Sequence, residues 1–250
     1  MLYFLHIPKT SGSALMASIS NNPEIVKNCI FPDNTLLPEN KEQILKFFKS
    51  KKFDNYSFIK GHFACTPYIY SDNIQSFSLI RDPLERSISY FKYHVPASAI
   101  VYPESFYFYL NQNPNIQSAN LTGCLKWEKI NRKEYRCYLD TPEISFNELL
   151  INIKQKNITL STVKNRKFLL KEIEQSFSLI LNKKIFLDPD CVTNGYRIQY
   201  NPYTMDLSCL TQNVKEDFKL LNNLDYQLYN YVKDHETETG RSLTPSDIVF

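Results

Sequence analysis

The sequence predicts an α/β fold, a parallel sheet flanked by helices, and two observations carry that expectation. Candidate strand-then-helix units begin near residues 2, 56, 77 and 166. That alternation requires helical crossovers rather than hairpins between neighbouring strands. The chain is also long enough for one large core: 250 residues, 43% of them hydrophobic, with no internal repeat, low-complexity run or Gly/Ser linker. The reading is therefore a single domain, residues 1–250. Only five glycines are present, so most turns must use Pro, Asn, Asp and Ser. Helices are expected near 12–21, 39–50, 84–94, 103–112, 145–155, 171–182 and 212–235. The stretch from about 95 to 165 reads as an irregular insertion, the kind of segment in which recognition tends to reside.

The first unit opens the chain. An apolar run from Leu2 to Ile7 breaks at Pro8 into a turn carrying Lys9, Thr10, Ser11, Gly12 and Ser13, and the apolar Ala14-Leu-Met-Ala17 follows. This is a buried strand entering a helix N-terminus. Amides there have no intrahelical acceptor and sit at the positive end of the helix dipole, so they suit phosphate or sulfate groups. A nucleoside-triphosphate loop would place its lysine after a second glycine. Here Lys9 precedes the only loop glycine.

The second unit, Tyr56-Ser-Phe-Ile-Lys-Gly-His62, reads as a strand ending at Gly61-His62. The third, Phe77-Ser-Leu-Ile-Arg-Asp-Pro-Leu-Glu-Arg-Ser-Ile-Ser-Tyr90, is a strand breaking at a charged turn. Asp82 is a natural N-cap and Pro83 suits the first helical position. Arg81 ends the strand and Ser89 lies about two turns into the helix. In open α/β sheets, ligands bind outside the carboxyl ends of the strands. Lys9, His62 and Arg81 would converge there. His94 and His235 read as structural.

The order Pro-Lys-Thr-x-Gly-Ser resembles the 5′-phosphosulfate-binding loop of sulfotransferases that use 3′-phosphoadenosine 5′-phosphosulfate (PAPS). Arg-Asp-Pro-x-x-Arg-x-x-Ser-x-Tyr resembles the 3′-phosphate-binding element of the same enzymes. The Gly61-His62 strand end is similar to that of the Golgi glycan 2-O- and 6-O-sulfotransferases, some of which carry His-Gly-His where this chain has Lys60-Gly-His62. Asn115–Gly123, Phe168–Ile180 and Asn222–Val232 resemble, in order, an acceptor-side segment, a strand-turn-helix and a C-terminal helix of that family. Together these segments span most of residues 2–232.

The resemblance implies a P-loop-like sulfotransferase domain whose insertion at about 95–165 lies on the acceptor side. It implies PAPS as cofactor, held by Lys9, Thr10, Ser11, Gly12, Ser13, Arg81 and Ser89. It further implies Lys9 and His62 as catalytic residues, no metal, and a hydroxyl acceptor on a glycan or glycoconjugate. Two alternatives stay open: a P-loop-type small-molecule kinase, and an inactive sulfotransferase-fold module that binds glycans. Lys60 either presses electrostatically on His62 or reaches out to solvent.

Composition bounds the rest. A net charge of +3 and a pI near 8.4 suit an anionic ligand and fall short of the dense basic patch of a nucleic-acid binder. The cluster Lys46, Lys49, Lys51 and Lys52 reads as a solvated helix end. Asn131–Arg136 reads either as a holder of anionic acceptors or as a charged loop. The six cysteines show neither a C-x-x-C pair nor interleaved histidines, so no zinc framework is expected. They are expected as free thiols in a cytoplasmic protein; export would permit pairs such as Cys124–Cys137. No signal segment or membrane span is expected.

Overall fold

A computed structural model describes residues 1–26, 29–30, 46–50, 56–94, 103–111, 113–129, 135–140, 143–189 and 210–250. Strand β1 (Leu2–Leu5) leads into helix α1 (Gly12–Ser20) and the short α2 (Pro23–Val26). The edge strand β2 (Cys29–Ile30), β3 (Phe58–Gly61) and β4 (Gln75–Ile80) follow, then α3 (Pro83–His94), α4 (Pro103–Asn111) and α5 (Ile116–Thr122). An antiparallel hairpin, β5 (Leu125–Lys129) and β6 (Tyr135–Leu139), precedes α6 (Phe146–Gln155), β7 (Ile158–Thr162) and α7 (Arg166–Leu181). Helices α8 (Gln212–Leu221) and α9 (Asn223–Thr239) complete the fold.

The main sheet runs β2-β3-β1-β4-β7, and every pairing in it is parallel. Four strands make its body, and the two-residue β2 extends one edge. The parallel sheet flanked by helices agrees with the fold class that the sequence predicts. Both faces are covered, which is why the strands read as near-continuous apolar runs. Successive residues of β1 point to opposite faces. Tyr3 and Leu5 join one core with Leu149, Leu150 and Ile153 of α6 and Leu228 and Val232 of α9. Leu2 and Phe4 join the other with Leu15 and Ile19 of α1 and Leu169, Ile173 and Phe177 of α7. A third cluster ties α3, α4 and α8 together through Ile88, Phe91, Phe106 and Phe218.

Three expectations are corrected. The last strand-then-helix unit begins at 158, not near 166, and Phe168–Ile180 is helical throughout within α7. The strand, Ile158-Thr-Leu-Ser-Thr162, is buried along its whole length. Its hydroxyls mask it in the sequence, and the fold satisfies them: buried Glu236 accepts from Ser161 Oγ, Thr162 N and Thr162 Oγ1. The segment 95–165 is therefore not one irregular insertion, since its end supplies a strand of the main sheet beside β4. The helix expected over 212–235 is two helices, separated at Asn222, whose side chain turns back to Phe218 O. Of the expected helix 39–50, residues 39–45 lie outside the described ones.

The hairpin register sets Cys137 opposite Trp127, while Cys124 O accepts from Asp140 N. Cys124 and Cys137 are thus about three residues apart along the ladder, near 10 Å, too far for a disulfide. Cys65 and Cys124 are free thiols. Among the described residues, no helix is long and apolar enough to cross a membrane.

Candidate active site

Strand order places the site. From β1 the chain passes to β2 and β3 on one side of the sheet, whereas from β4 it passes to β7 on the other. The switch point therefore lies between β1 and β4, and the crevice outside their carboxyl ends is where ligands bind in such sheets. An open cleft of about 630 Å³ occupies it. The loop after β1 lines it with Lys9, Ser11, Gly12 and Ser13; β3 contributes His62; β4 and α3 contribute Arg81 and Ser89. Seven of the eight site residues expected from sequence thus share one cavity. The eighth, Thr10, does not reach it. Its side chain is fully buried and donates to Ile7 O at 2.8 Å, closing the turn from within.

The first wall is an open helix end. Lys9 and Ser11 both adopt left-handed backbone (φ 70° and 59°), a costly state for residues with side chains. Two such residues within three positions turn the chain sharply from the strand into α1. Ser11 is the N-cap residue, yet its side chain makes no capping hydrogen bond. The first amides of α1, at Gly12 and Ser13, therefore face the cleft without an intrahelical acceptor. Lys9 Nζ stands 4.3 Å from the ring centroid of Tyr93 on α3. Burial and the neighbouring Arg81 charge lower the Lys9 pKa. Two cations that feel each other, with no carboxylate among the described lining residues, make a donor set suited to a polyanion.

The second wall is held from below. Asp82 caps α3 through Oδ1, which accepts from Leu84 N and Glu85 N at 3.0 Å each. Arg81 Nε donates to Glu85 Oε2 at 3.2 Å. The Arg81 backbone is clamped by buried Gln117, whose Oε1 accepts from Arg81 N at 2.9 Å and whose Nε2 donates to Arg81 O at 2.8 Å. Gln117 is itself anchored by Asp225, which accepts from Gln117 N, Ser118 N and Ser118 Oγ. The segments Asn115–Gly123 and Asn222–Val232 are thereby joined: α9 caps α5, and α5 fixes the residue that ends β4. Arg86 is buried rather than solvated. Its Nε donates to Pro8 O at 3.2 Å and so ties the Lys9 loop to α3.

His62 stands at the mouth of the cleft. Its Nδ1 lies 2.6 Å from His6 O, and a carbonyl can only accept, so Nδ1 carries the proton. The neutral ring therefore keeps its lone pair on Nε2. Desolvation is the main influence lowering the His62 pKa; the hydrogen bond to His6 O opposes it, and the Lys60 charge adds to it. Lys60 is half-buried, and its charge is one of the influences that lower the His62 pKa. Glu172 belongs to α7, where burial raises its pKa and Arg241 and Asp247 are its charged neighbours; it does not line the cleft. His235 is structural, with Nε2 3.2 Å from Ser242 O.

Sequence reasoning misses His6. The residue is 8% exposed, lines the cleft, and stacks on His62 with ring centroids 4.2 Å apart. A titratable side chain at the end of an otherwise apolar strand was the available signal. Compared with known proteins, the chain matches no family model, no curated protein and no solved structure.

Proposed function

We propose that this chain is a PAPS-dependent sulfotransferase that moves a sulfuryl group to a hydroxyl, with a carbohydrate as the acceptor class. The observation that carries the reading is the convergence on one cleft of an open helix N-terminus with Lys9, a separate anchor of Arg81 and Ser89, and a histidine with a free basic nitrogen. Two anion sites and one base are what this reaction needs. PAPS, when bound, supplies an activated sulfuryl group on its 5′-phosphate and a second, unreactive phosphate at 3′.

The Gly12 and Ser13 amides and the Ser11 and Ser13 hydroxyls hold the 5′ side. Arg81 and Ser89 hold the 3′-phosphate, where a guanidinium can bond two oxygens at once. His62 Nε2 takes the acceptor hydroxyl's proton as that oxygen bonds to sulfur and the bond to the 5′-phosphate oxygen breaks. Lys9 neutralises the charge gathering on the departing oxygen. Positioning and charge stabilisation supply most of the catalysis in such a transfer, as they do for phosphoryl groups. Tyr90 and Tyr93 give the cleft an aromatic edge suited to a sugar face.

The test is calorimetric titration with 3′-phosphoadenosine 5′-phosphate and with ATP-Mg²⁺, followed by an acceptor screen with radiolabelled PAPS. The expected result is binding of the bisphosphate alone and label transfer to a glycan. Binding of ATP-Mg²⁺ alone overturns the reading in favour of a kinase. In the active protein, His62→Ala should leave bisphosphate affinity nearly intact and lower transfer by roughly 10²–10⁴-fold. Unchanged turnover would remove His62 as the base.

A further inference from the structure

We propose that His6 is an uncharged hydrogen-bond donor to the anion at the N-terminus of α1, its Nε2–H acting beside the Gly12 and Ser13 amides. Three observations converge on this role. His6 is more than nine-tenths buried, and its Nδ1 has no hydrogen-bond partner among the described residues. A buried N–H without an acceptor is rarer in proteins than an acceptor left under-satisfied, so the orphaned Nδ1 is the unprotonated nitrogen and Nε2 carries the hydrogen.

The ring's position gives that hydrogen its target. A Cβ added to Gly12 would overlap the Nε2–Cδ2 edge of His6. Cβ bonds tilt toward the N-terminus of a helix, so that edge lies just off the open end of α1, where the free amides point. Gly12 is thus required for space: it admits the imidazole to the cradle.

The charged and titratable groups facing His6 are His62, Lys60 and Lys9; together with burial, the largest influence, they lower its pKa well below the ordinary value. His6 stays neutral where a cation would repel Lys9. The two stacked histidines then have opposite duties: His62 accepts a proton through Nε2, while His6 donates a hydrogen bond through Nε2 and keeps its proton. The identity of the anion, a sulfuryl group on a 5′-phosphate, rests on the sulfotransferase reading; the donor role does not.

The experiment is long-range ¹H–¹⁵N NMR on the ¹⁵N-histidine-labelled chain, with and without inorganic phosphate and 3′-phosphoadenosine 5′-phosphate. His6 should appear as the Nε2–H tautomer, uncharged at neutral pH, and its Hε2 should shift as either anion binds. His6→Phe keeps the stacked ring and the backbone carbonyl that orients His62. It should weaken bisphosphate binding roughly 10–150-fold, the loss of one donor to a charged group. An Nδ1–H tautomer, or an Hε2 unmoved by bisphosphate that calorimetry shows to be bound, overturns the donor role and leaves the sulfotransferase reading standing. A response to phosphate in a chain that does not bind the bisphosphate supports the donor role and overturns that reading. The NMR arm uses the unsubstituted chain, so a variant that fails to fold does not decide the matter.

Discussion

Two strand-to-helix junctions face each other across the cleft, and they handle the same backbone problem in opposite ways. At β1–α1 the N-cap position is Ser11 in left-handed backbone, no side chain caps the helix, and the first amides stay available. At β4–α3, the first helical residue is Pro83, which has no N–H, and Asp82 consumes the next two amides, those of Leu84 and Glu85. The first junction therefore has backbone donors to offer anions. The second can bind them only with side chains, Arg81 and Ser89, and keeps its carboxylate cap. An open helix end is a reactive-centre device because its donors are fixed before the ligand arrives. A capped end gives stability instead.

The sharpest way to break that contrast is to remove one cation from each side. Lys9→Ala should lower turnover roughly 10²–10³-fold with little change in bisphosphate affinity, because its charge opposes one that develops only during transfer. Arg81→Ala should instead weaken bisphosphate binding roughly 10–100-fold, the loss of a charge-assisted contact to a phosphate that does not react. Single-turnover rates and calorimetry separate the two. Equal effects on binding, with turnover untouched, would contradict the division.

Stability sharpens it further. Gly12→Ala forces the new methyl against the buried His6 ring and should cost about 1–3 kcal/mol. Combining it with His6→Ala should restore most of that loss in a denaturant titration. Additivity of the two losses would mean that the ring and Gly12 do not compete for the same space.

Capping gives a smaller effect. Asp82→Ala should destabilise the fold by about 1 kcal/mol through its lost cap. Ser11→Gly should do the reverse, since it relieves left-handed strain and no cap is lost. A destabilised Ser11→Gly variant would show that α1 depends on a cap after all. The comparison needs only two thermal unfolding curves.

The smallest effect concerns the third strand end. Only the neutral His62 ring accepts a proton, so the rate should rise with pH through its pKa and level off above it. Burial first, and Lys60 after it, lower that pKa, so the plateau should already be reached near neutrality. Lys60→Met removes a repulsion that disfavours the imidazolium; the pKa rises and the acid limb of the pH–rate profile moves to higher pH. An acid limb that stays where it was would assign Lys60 to solvent contact alone.

The two walls also differ in how openly the sequence displays them. Lys9, Arg81, Asp82, Pro83 and Ser89 are legible because each occupies a position in a local pattern: strand, break, helix start. A strand end and a helix start are short-range features, and elementary capping rules locate them within a residue or two. Apolar runs likewise announce β1, β3 and β4, since a sheet covered on both faces needs no polar alternation.

What stayed hidden depended on partners distant in the chain. β7 looks too polar to be a core strand until Glu236 on α9, over seventy residues away, accepts from its hydroxyls. Gln117 has no local sign of clamping Arg81, and Thr10 looks like a ligand-facing hydroxyl until the turn folds it inward onto Ile7 O. His6 reads as a blemish in an apolar strand until β3, carrying His62, pairs beside β1. The sequence by itself determined the fold class, the two helix starts and the chemistry available at each, because periodicity and capping act over a few residues. Only the tertiary structure decided which groups share a cavity and which nitrogen of His62 is free. Those depend on strand order, and strand order is set by packing both faces of the sheet at once.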